Sequence, residues 1–279
     1  MWGIYMSKWK NRKKIDAHVH ILPDERRDEL ISNYGENDPW SVANIDLLIK
    51  QMNENNIEKS LLLPINNRYM YYGMRETNEF LANTIKKYPN RLIGFADVII
   101  QGADGLYEAP YEVEYAIKEL GLSGVKIHPA NLNLPADDFQ LIPVLRKAAE
   151  LKIPVMYHSN PWGPGFYDFS SPERINRMIK VFPDINFITA HMGGVKVMDA
   201  LKAVTYVDLS FSLFDLVDLY GIEGTNRILR KFGSSRLIFG TDYPEGNYEK
   251  YFNILDQMDF TEEEIDQICY HNILKLLSN

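Results

Sequence analysis

Cysteine is almost missing: Cys269 stands alone in 279 residues, which excludes an intrachain disulfide and any multi-cysteine metal site. That scarcity suits a reducing compartment, so a cytoplasmic protein is expected. Positive charge is in the minority, 30 Lys+Arg against 38 Asp+Glu, and a formal net charge of −8 would repel phosphate backbones and anionic lipid. No nucleic-acid or membrane partner is expected. Long apolar runs are lacking as well. Residues 1–14 are basic and carry Trp2, Ile4 and Tyr5, but no apolar run of about 7 to 15 residues follows as a signal peptide requires. Nor does any uncharged stretch approach the roughly 18 to 20 apolar residues of a membrane span. Finally, no G-x-G-x-x-G fingerprint follows the first strand-like segment, which weakens an open, doubly wound dinucleotide fold.

What is present is an ordinary globular composition, 46% hydrophobic and 24% charged. A chain of this length suits one α/β barrel of about 250 residues and buries roughly 75% of its unfolded surface, so it needs no structural metal to fold. Short β-branched and aliphatic runs alternate with segments of helical period, the order that predicts βαβ units and a parallel sheet. The candidate strands are 15–21, 57–64, 91–98, 123–128, 153–158, 185–191, 205–210 and 236–240. Helix boundaries read from Ser41 before VANIDLLIKQM, Gly121 after YEVEYAIKEL, and Ser170 or Ser171 before PERINRMIKVF. Thr261 with Glu264 predicts a capping box opening a last helix that runs to about Leu277. Eight strands each followed by a helix predict an α/β fold of the (β/α)8 TIM-barrel type, as a single domain over residues 1–279.

In such a barrel the loops leaving the C-terminal strand ends surround the active site, and the two longest connections, 22–40 and 159–169, both fall on that rim. The second contains Trp162 and is expected to act as a lid or substrate wall, unless its Pro, Gly and aromatic residues only stiffen a surface loop. The strongest local signal is Asp16-Ala17-His18-Val19-His20 at the end of the first strand. Side chains two apart share a face on a strand and diverge on a helix, so the strand reading lets His18 and His20 hold one ion. Five of the six histidines (His18, His20, His128, His158 and His191) fall at predicted C-terminal strand ends, and Asp242 follows the eighth strand. A barrel gathers those ends, and imidazole is a common ligand for zinc and similar ions. Asp242 beside neutral imidazoles would offset part of a dication's charge and accept a proton from a bound water; a turn aspartate in T-D-Y-P is the plain alternative.

Lys126 and His128, two apart on the fourth strand, are expected to share a face. A satisfied core lysine, hydrogen-bonded to a barrel carboxylate such as Asp16, is the plain reading of Lys126. Arg68, after the second strand, could grip a substrate carboxylate through a bidentate contact or simply be solvated. His271 and Cys269 lie within the last helix and are expected to be structural.

Taken together, Asp16-x-His18-x-His20, Gly124-Val125-Lys126-Ile127-His128-Pro129, His158, His191-Met192-Gly193-Gly194, Gly240-Thr241-Asp242-Tyr243-Pro244 and the closing Asn272-Ile273-Leu274-Lys275-Leu276-Leu277 occur in one order along almost the whole chain. In this the sequence resembles the amidohydrolase superfamily, in the branch that includes aminocarboxymuconate semialdehyde decarboxylase and related benzoate-type decarboxylases and hydrolases. The resemblance implies one divalent metal ion, zinc first with manganese or iron as alternatives, held by His18, His20, His158 and Asp242. It implies that His191 orients or deprotonates the water on that ion, whose pKa falls from about 15.7 towards 7 on zinc. A carbamylated lysine bridges two metals in some members, so a binuclear centre on Lys126 stays open beside a substrate-binding role for Lys126 and His128. A homodimer is a family-level expectation.

Three functions follow. The first is metal-dependent hydrolysis of a small amide, lactone or ester, with Asp242 or His191 delivering the proton to the leaving group. The alternative is nonoxidative decarboxylation of an unsaturated or aromatic carboxylic acid. Hydrolysis is favoured by its prevalence in the superfamily and by aspartate at position 16, where some decarboxylases of the resemblance carry glutamate. The third, a barrel that binds a ligand without turnover, is disfavoured because every expected polar position is retained.

Overall fold

The structure, a computed structural model, describes residues 7–67, 70–100, 102–159, 169–194 and 205–278. Arg68, Trp162 and most of the 159–169 connection lie outside the described residues. The strands are β1 Lys14–Val19, β2 Ile57–Leu62, β3 Leu92–Gly94, β4 Val125–Ile127, β5 Val155–Tyr157, β6 Phe187–Thr189, β7 Tyr206–Asp208 and β8 Leu237–Ile238. Each lies within or against its expected segment, but all are shorter than expected. The ladder is strictly parallel, β1-β2-β3 in one run and β4-β5-β6-β7-β8 in another.

Two seams join the runs. Ala96 pairs with Val125 between β3 and β4, with Ala96 N donating to Gly124 O at 2.7 Å and Lys126 N to Ala96 O at 3.1 Å. Between β8 and β1, Ala17 N donates to Phe239 O at 3.0 Å, Asp242 N to His18 O at 2.9 Å and His20 N to Tyr243 O at 2.8 Å. The sheet therefore closes on itself, as a (β/α)8 barrel requires.

Period-2 alternation divides the core. Leu62, Val155, Tyr157, Phe187, Leu237 and Phe239 pack outward with helix residues such as Leu48, Leu81, Val113 and Leu145. Their strand neighbours Leu61, Leu63, Met156, Ile188 and Ile238 form a separate inner cluster with Ile15, Ala17 and Phe95, closed at the floor by Ile273 and Leu276. Those last two sit on α11 (Asn272–Leu277), and the buried Asn272 fastens it by donating to Ser234 O and Leu237 O, each at 2.7 Å.

Helix ends follow local chemistry. The helix expected after Ser41 begins three residues later, as α2 (Ile45–Glu54), because Asn44 rather than Ser41 caps it by accepting from Leu47 N at 2.9 Å; Pro39–Val42 forms a 3-10 turn instead. The 22–40 connection is not simply a loop: it contains α1 (Asp24–Tyr34), a charged helix with no buried residue, held by pairs such as Arg27 with Asp24 at 2.9 Å. Without an apolar stripe it leaves no periodic signal. The remaining helices are α3 (Met74–Lys87), α4 (Gly102–Lys118), α5 (Pro129–Leu132), α6 (Ile142–Leu151), α7 (Pro172–Val181), α8 (Ser212–Phe232), α9 (Tyr248–Leu255) and α10 (Glu262–Asp266). The capping box is formed: Glu264 N donates to Thr261 Oγ1 at 3.3 Å and Thr261 N to Glu264 Oε2 at 2.9 Å. A π-helical turn, Gln267–His271, then separates α10 from α11. Among the described residues no helix is long and apolar enough to cross a membrane.

Candidate metal centre

His18 lies on β1 and His20 just past its end, their ring centroids 5.1 Å apart. Asp242 comes to them from the β8 turn, in a left-handed conformation (φ 64°) held by its own N–H to His18 O. Gly246 permits that turn, since a Cβ there would collide with the Thr241 carbonyl, and a Cβ on Gly240 would lie 3.1 Å from His18 Cβ. Asp242 Oδ1 ends 3.3 Å from His18 Nε2 and 3.2 Å from His20 Nε2, and the three ligand atoms lie within 4.8 Å of one another.

The other ring nitrogens show what such a cluster needs. His20 Nδ1 donates to Leu63 O at 2.7 Å, a partner that only accepts, so in a neutral ring Nε2 carries the lone pair. His18 Nδ1 donates to Asp208 Oδ2 at 2.9 Å, so its Nε2 is also a lone-pair nitrogen. Burial, then the neighbouring Lys126, holds the His18 pKa well below its ordinary value, so that ring is neutral. Burial disfavours the Asp242 carboxylate, and only positive charge on the imidazole side, a ring proton or a bound cation, offsets this and holds its pKa below the usual carboxylate range. Two imidazole lone pairs and a carboxylate oxygen facing each other in a buried site repel unless a cation sits among them. The donor set, two N and one O, fits a divalent transition ion.

His191 follows β6 in a left-handed conformation (φ 53°). Its Nδ1 donates to Ser210 O at 3.0 Å and lies 4.0 Å from Asp242 Oδ2; its Nε2 is 3.1 Å from His158 Nδ1. With Nδ1 as the donor, His191 Nε2 accepts from His158 Nδ1, and Nε2 is left as the lone-pair nitrogen of His158. His158 is thus adjacent to the cluster through His191, not grouped within it, and its ring stacks on His128 at 3.7 Å and 13°.

Lys126 is fully buried, yet it does not meet Asp16: Nζ lies 3.2 Å from His18 Nε2 and 3.7 Å from Met156 Sδ. Burial lowers its pKa to about 8 against the opposing pull of Asp208 and Asp242. His128 stays on the cluster's side, its ring against that of His158. The His128 ring also accepts from Asn131 N at 3.3 Å, capping α5, while its own N–H donates to Asn66 Oδ1 at 2.6 Å. Asp16 points away from the cation cluster. It accepts from Thr241 N (3.0 Å), Thr241 Oγ1 (2.6 Å), Tyr248 OH (2.7 Å) and His18 N (3.2 Å), clamping β1 to the β8 turn. Burial raises its pKa to about 6, with those hydrogen bonds opposing.

Sequence reasoning missed several contributors. Asp208 and Ser210 sit at the end of β7, where an aspartate at a C-terminal strand end was the available signal. Asn66, whose Nδ2 also reaches Lys126 O at 3.3 Å, ties the rim of β2 to β4. Trp40, from the connection after β1, lays its indole 5.6 Å from the His20 ring and donates Nε1–H to Glu245 Oε1 at 3.0 Å.

A closed parallel barrel with histidines and an aspartate gathered at the C-terminal strand ends defines a metal-dependent barrel enzyme. The amidohydrolase family pattern matches residues 15–278, and the chain belongs to that family. Solved structures with the same fold include a dihydroxybenzoic acid decarboxylase from Polaromonas sp. JS666 with bound manganese and 2-nitroresorcinol (20% identity, TM-score 0.76, 96% of this chain and 97% of that one). Another is an uncharacterised TIM-barrel protein from Bordetella bronchiseptica (19%, 0.77, 96% and 99%). A third is a 5-carboxyvanillate decarboxylase from Novosphingobium aromaticivorans with manganese and 4-hydroxy-3-methoxy-5-nitrobenzoic acid (16%, 0.73, 97% and 97%).

Proposed function

We propose that this protein is a metal-dependent nonoxidative decarboxylase of a small aromatic or unsaturated carboxylic acid, working as a single barrel domain over residues 1–279. The observation that carries the reading is the whole-chain likeness to decarboxylases of dihydroxybenzoate and carboxyvanillate, two of them solved with manganese. It reverses the preference for hydrolysis drawn from the sequence. The aspartate at position 16 no longer argues for a hydrolase, because its carboxylate is engaged by Thr241, Tyr248 and the His18 amide rather than aimed at the cation cluster.

His18, His20 and Asp242 would hold the ion, with His158, set beside His191, as the further ligand the family resemblance implies; manganese and zinc both suit this set. The bound ion would supply an anchor for substrate oxygens and Lewis-acid polarisation. Trp40 beside His20 offers a flat apolar wall for a planar ring, and Lys126, buried behind His18, adds positive charge that favours an acidic substrate. A proton adds to the carbon bearing the carboxylate, using a π pair, and the pair of the breaking carbon–carbon bond returns to the π system as carbon dioxide leaves. That proton is taken up from solvent, and Asp242 Oδ2, on the side turned toward His191, is placed to relay it to the carbon.

Hydrolysis of an amide, lactone or ester is the second reading, favoured by the family to which the chain belongs. The deciding experiment incubates metal-loaded protein with hydroxybenzoate-type acids, lactones and amides, following carbon dioxide and acid release separately. Carbon dioxide from an aromatic acid is the expected result; acid release from a lactone or amide without carbon dioxide overturns it.

A further inference from the structure

The geometry points to Asp208 as a positioning residue that sets two histidines on different strands at once, aiming the His18 Nε2 lone pair at the cation and holding His191 in place beside Asp242. Asp208 is fully buried at the end of β7. Its Oδ2 accepts from His18 Nδ1 at 2.9 Å. Its Oδ1 accepts from His191 N at 3.0 Å and Ser210 N at 3.1 Å, and also from the Ser210 hydroxyl. Ser210 Oγ, its proton given to Asp208, lies 3.0 Å from both His18 Nδ1 and His191 Nδ1. The Ser210 carbonyl accepts from His191 Nδ1. One carboxylate thus ties β1, β6 and β7 together and fixes which nitrogen of His18 bears the proton. It also anchors the amide of a histidine in a left-handed conformation that non-glycine residues seldom adopt.

His18, His191 and Asp208 also lie close enough together to suggest a cation site of their own. The hydrogen bonds decide against it. Both Asp208 oxygens already accept from N–H or O–H groups, and the His18 and His191 nitrogens nearest to it carry their protons toward acceptors. The outer carboxylate that orients a ligating imidazole is the role this arrangement fills.

The inference rests on the cation centre proposed above, not on the choice of reaction. The test uses the full-length, zinc-loaded chain labelled with 15N-histidine, with zinc affinity measured by chelator competition. Wild-type protein should show a proton on His18 Nδ1 shifted far downfield by the carboxylate. In Asp208→Asn the amide oxygen still accepts from the His191 and Ser210 N–H groups, but its NH2 faces His18. Without an acceptor at Nδ1 the zinc-free His18 ring takes the Nε2–H form and must give it up to bind zinc, so in the zinc-loaded variant the Nδ1 resonance loses its downfield shift and zinc affinity falls about tenfold to a hundredfold, while the His20 Nδ1 proton stays. Ser210→Ala leaves the Asp208–His18 bond intact, so it should retain the His18 resonance and stay closer to wild-type affinity than Asp208→Asn. Wild-type protein without a proton on His18 Nδ1 overturns the assignment even if Asp208→Asn does not fold. So does unchanged zinc affinity in Asp208→Asn, or a greater loss in Ser210→Ala. A wild-type chain that shows the resonance and evolves no carbon dioxide keeps Asp208 in this role and loses the proposed reaction.

Discussion

Two lysines, Lys14 at the floor of the barrel and Lys126 near its rim, are both fully buried, and burial lowers the pKa of each to about 8. Their partners differ completely. Lys14 Nζ donates to the carbonyls of Trp9 (2.8 Å), Lys10 (2.9 Å) and Arg12 (2.5 Å), with the Phe252 ring 4.9 Å away. It closes the carbonyl end of the turn that precedes β1. Lys126 faces an imidazole lone pair and a thioether. Burial and a shifted pKa therefore do not separate a structural ammonium from one at a reactive site; the chemistry of the partners does.

The largest effect should come at the rim itself. Asp242→Asn removes a carboxylate oxygen facing two imidazole lone pairs, and turnover should fall about 10²- to 10⁴-fold together with metal content, read by steady-state kinetics and elemental analysis. His191→Asn should lose turnover on the same scale. Retained turnover in both would remove the rim from the mechanism and leave the two lysines equivalent.

The comparison itself is tested by the pair Lys14→Met and Lys126→Met. Lys14→Met orphans three carbonyls and should cost about 3 kcal/mol in denaturant unfolding, with kcat unchanged in the folded fraction. Lys126→Met should fold with a midpoint near that of the wild type, because its thioether neighbour accepts an apolar side chain, but turnover should drop about tenfold to a hundredfold. The reverse pattern would break the distinction.

A smaller effect concerns pH. Folded Lys14 has a pKa of about 8 against an ordinary 10.5, so between those values the unfolded chain holds a proton the folded chain has released. Stability from this group therefore rises with pH across that window, and the cost of burying the ammonium is present in full below pH 8. Lys126 contributes in the same direction. Each Met variant should flatten the slope of unfolding free energy between pH 8 and 10.5 relative to wild type, and equal slopes in all three would contradict it. The smallest effect should be that of Trp40→Phe. It keeps a ring beside His20 but loses the bond to Glu245, raising KM up to about tenfold with little change in kcat.

Much of this was legible beforehand. The eight strands could be read because each is a short aliphatic run, and Thr261 with Glu264 announced a capping box that the structure forms. His18, His20 and Asp242 could be read because residues at C-terminal strand ends of a barrel must meet. Less legible was α1, whose charged sequence buries nothing and so carries no period. Also hidden was the second role of His128, which accepts from Asn131 N to cap α5.

The amino-acid order alone determined the closed barrel and the rim on which its histidines and Asp242 gather, since period and strand polarity are local properties written in consecutive residues. Only the tertiary structure decided which nitrogen of each imidazole bears a lone pair, that Asp16 braces the β8 turn, and that Asp208 serves two rings. Those outcomes depend on hydrogen-bond partners up to 232 residues apart, as between Asp16 and Tyr248, and no local pattern encodes a partner at that distance.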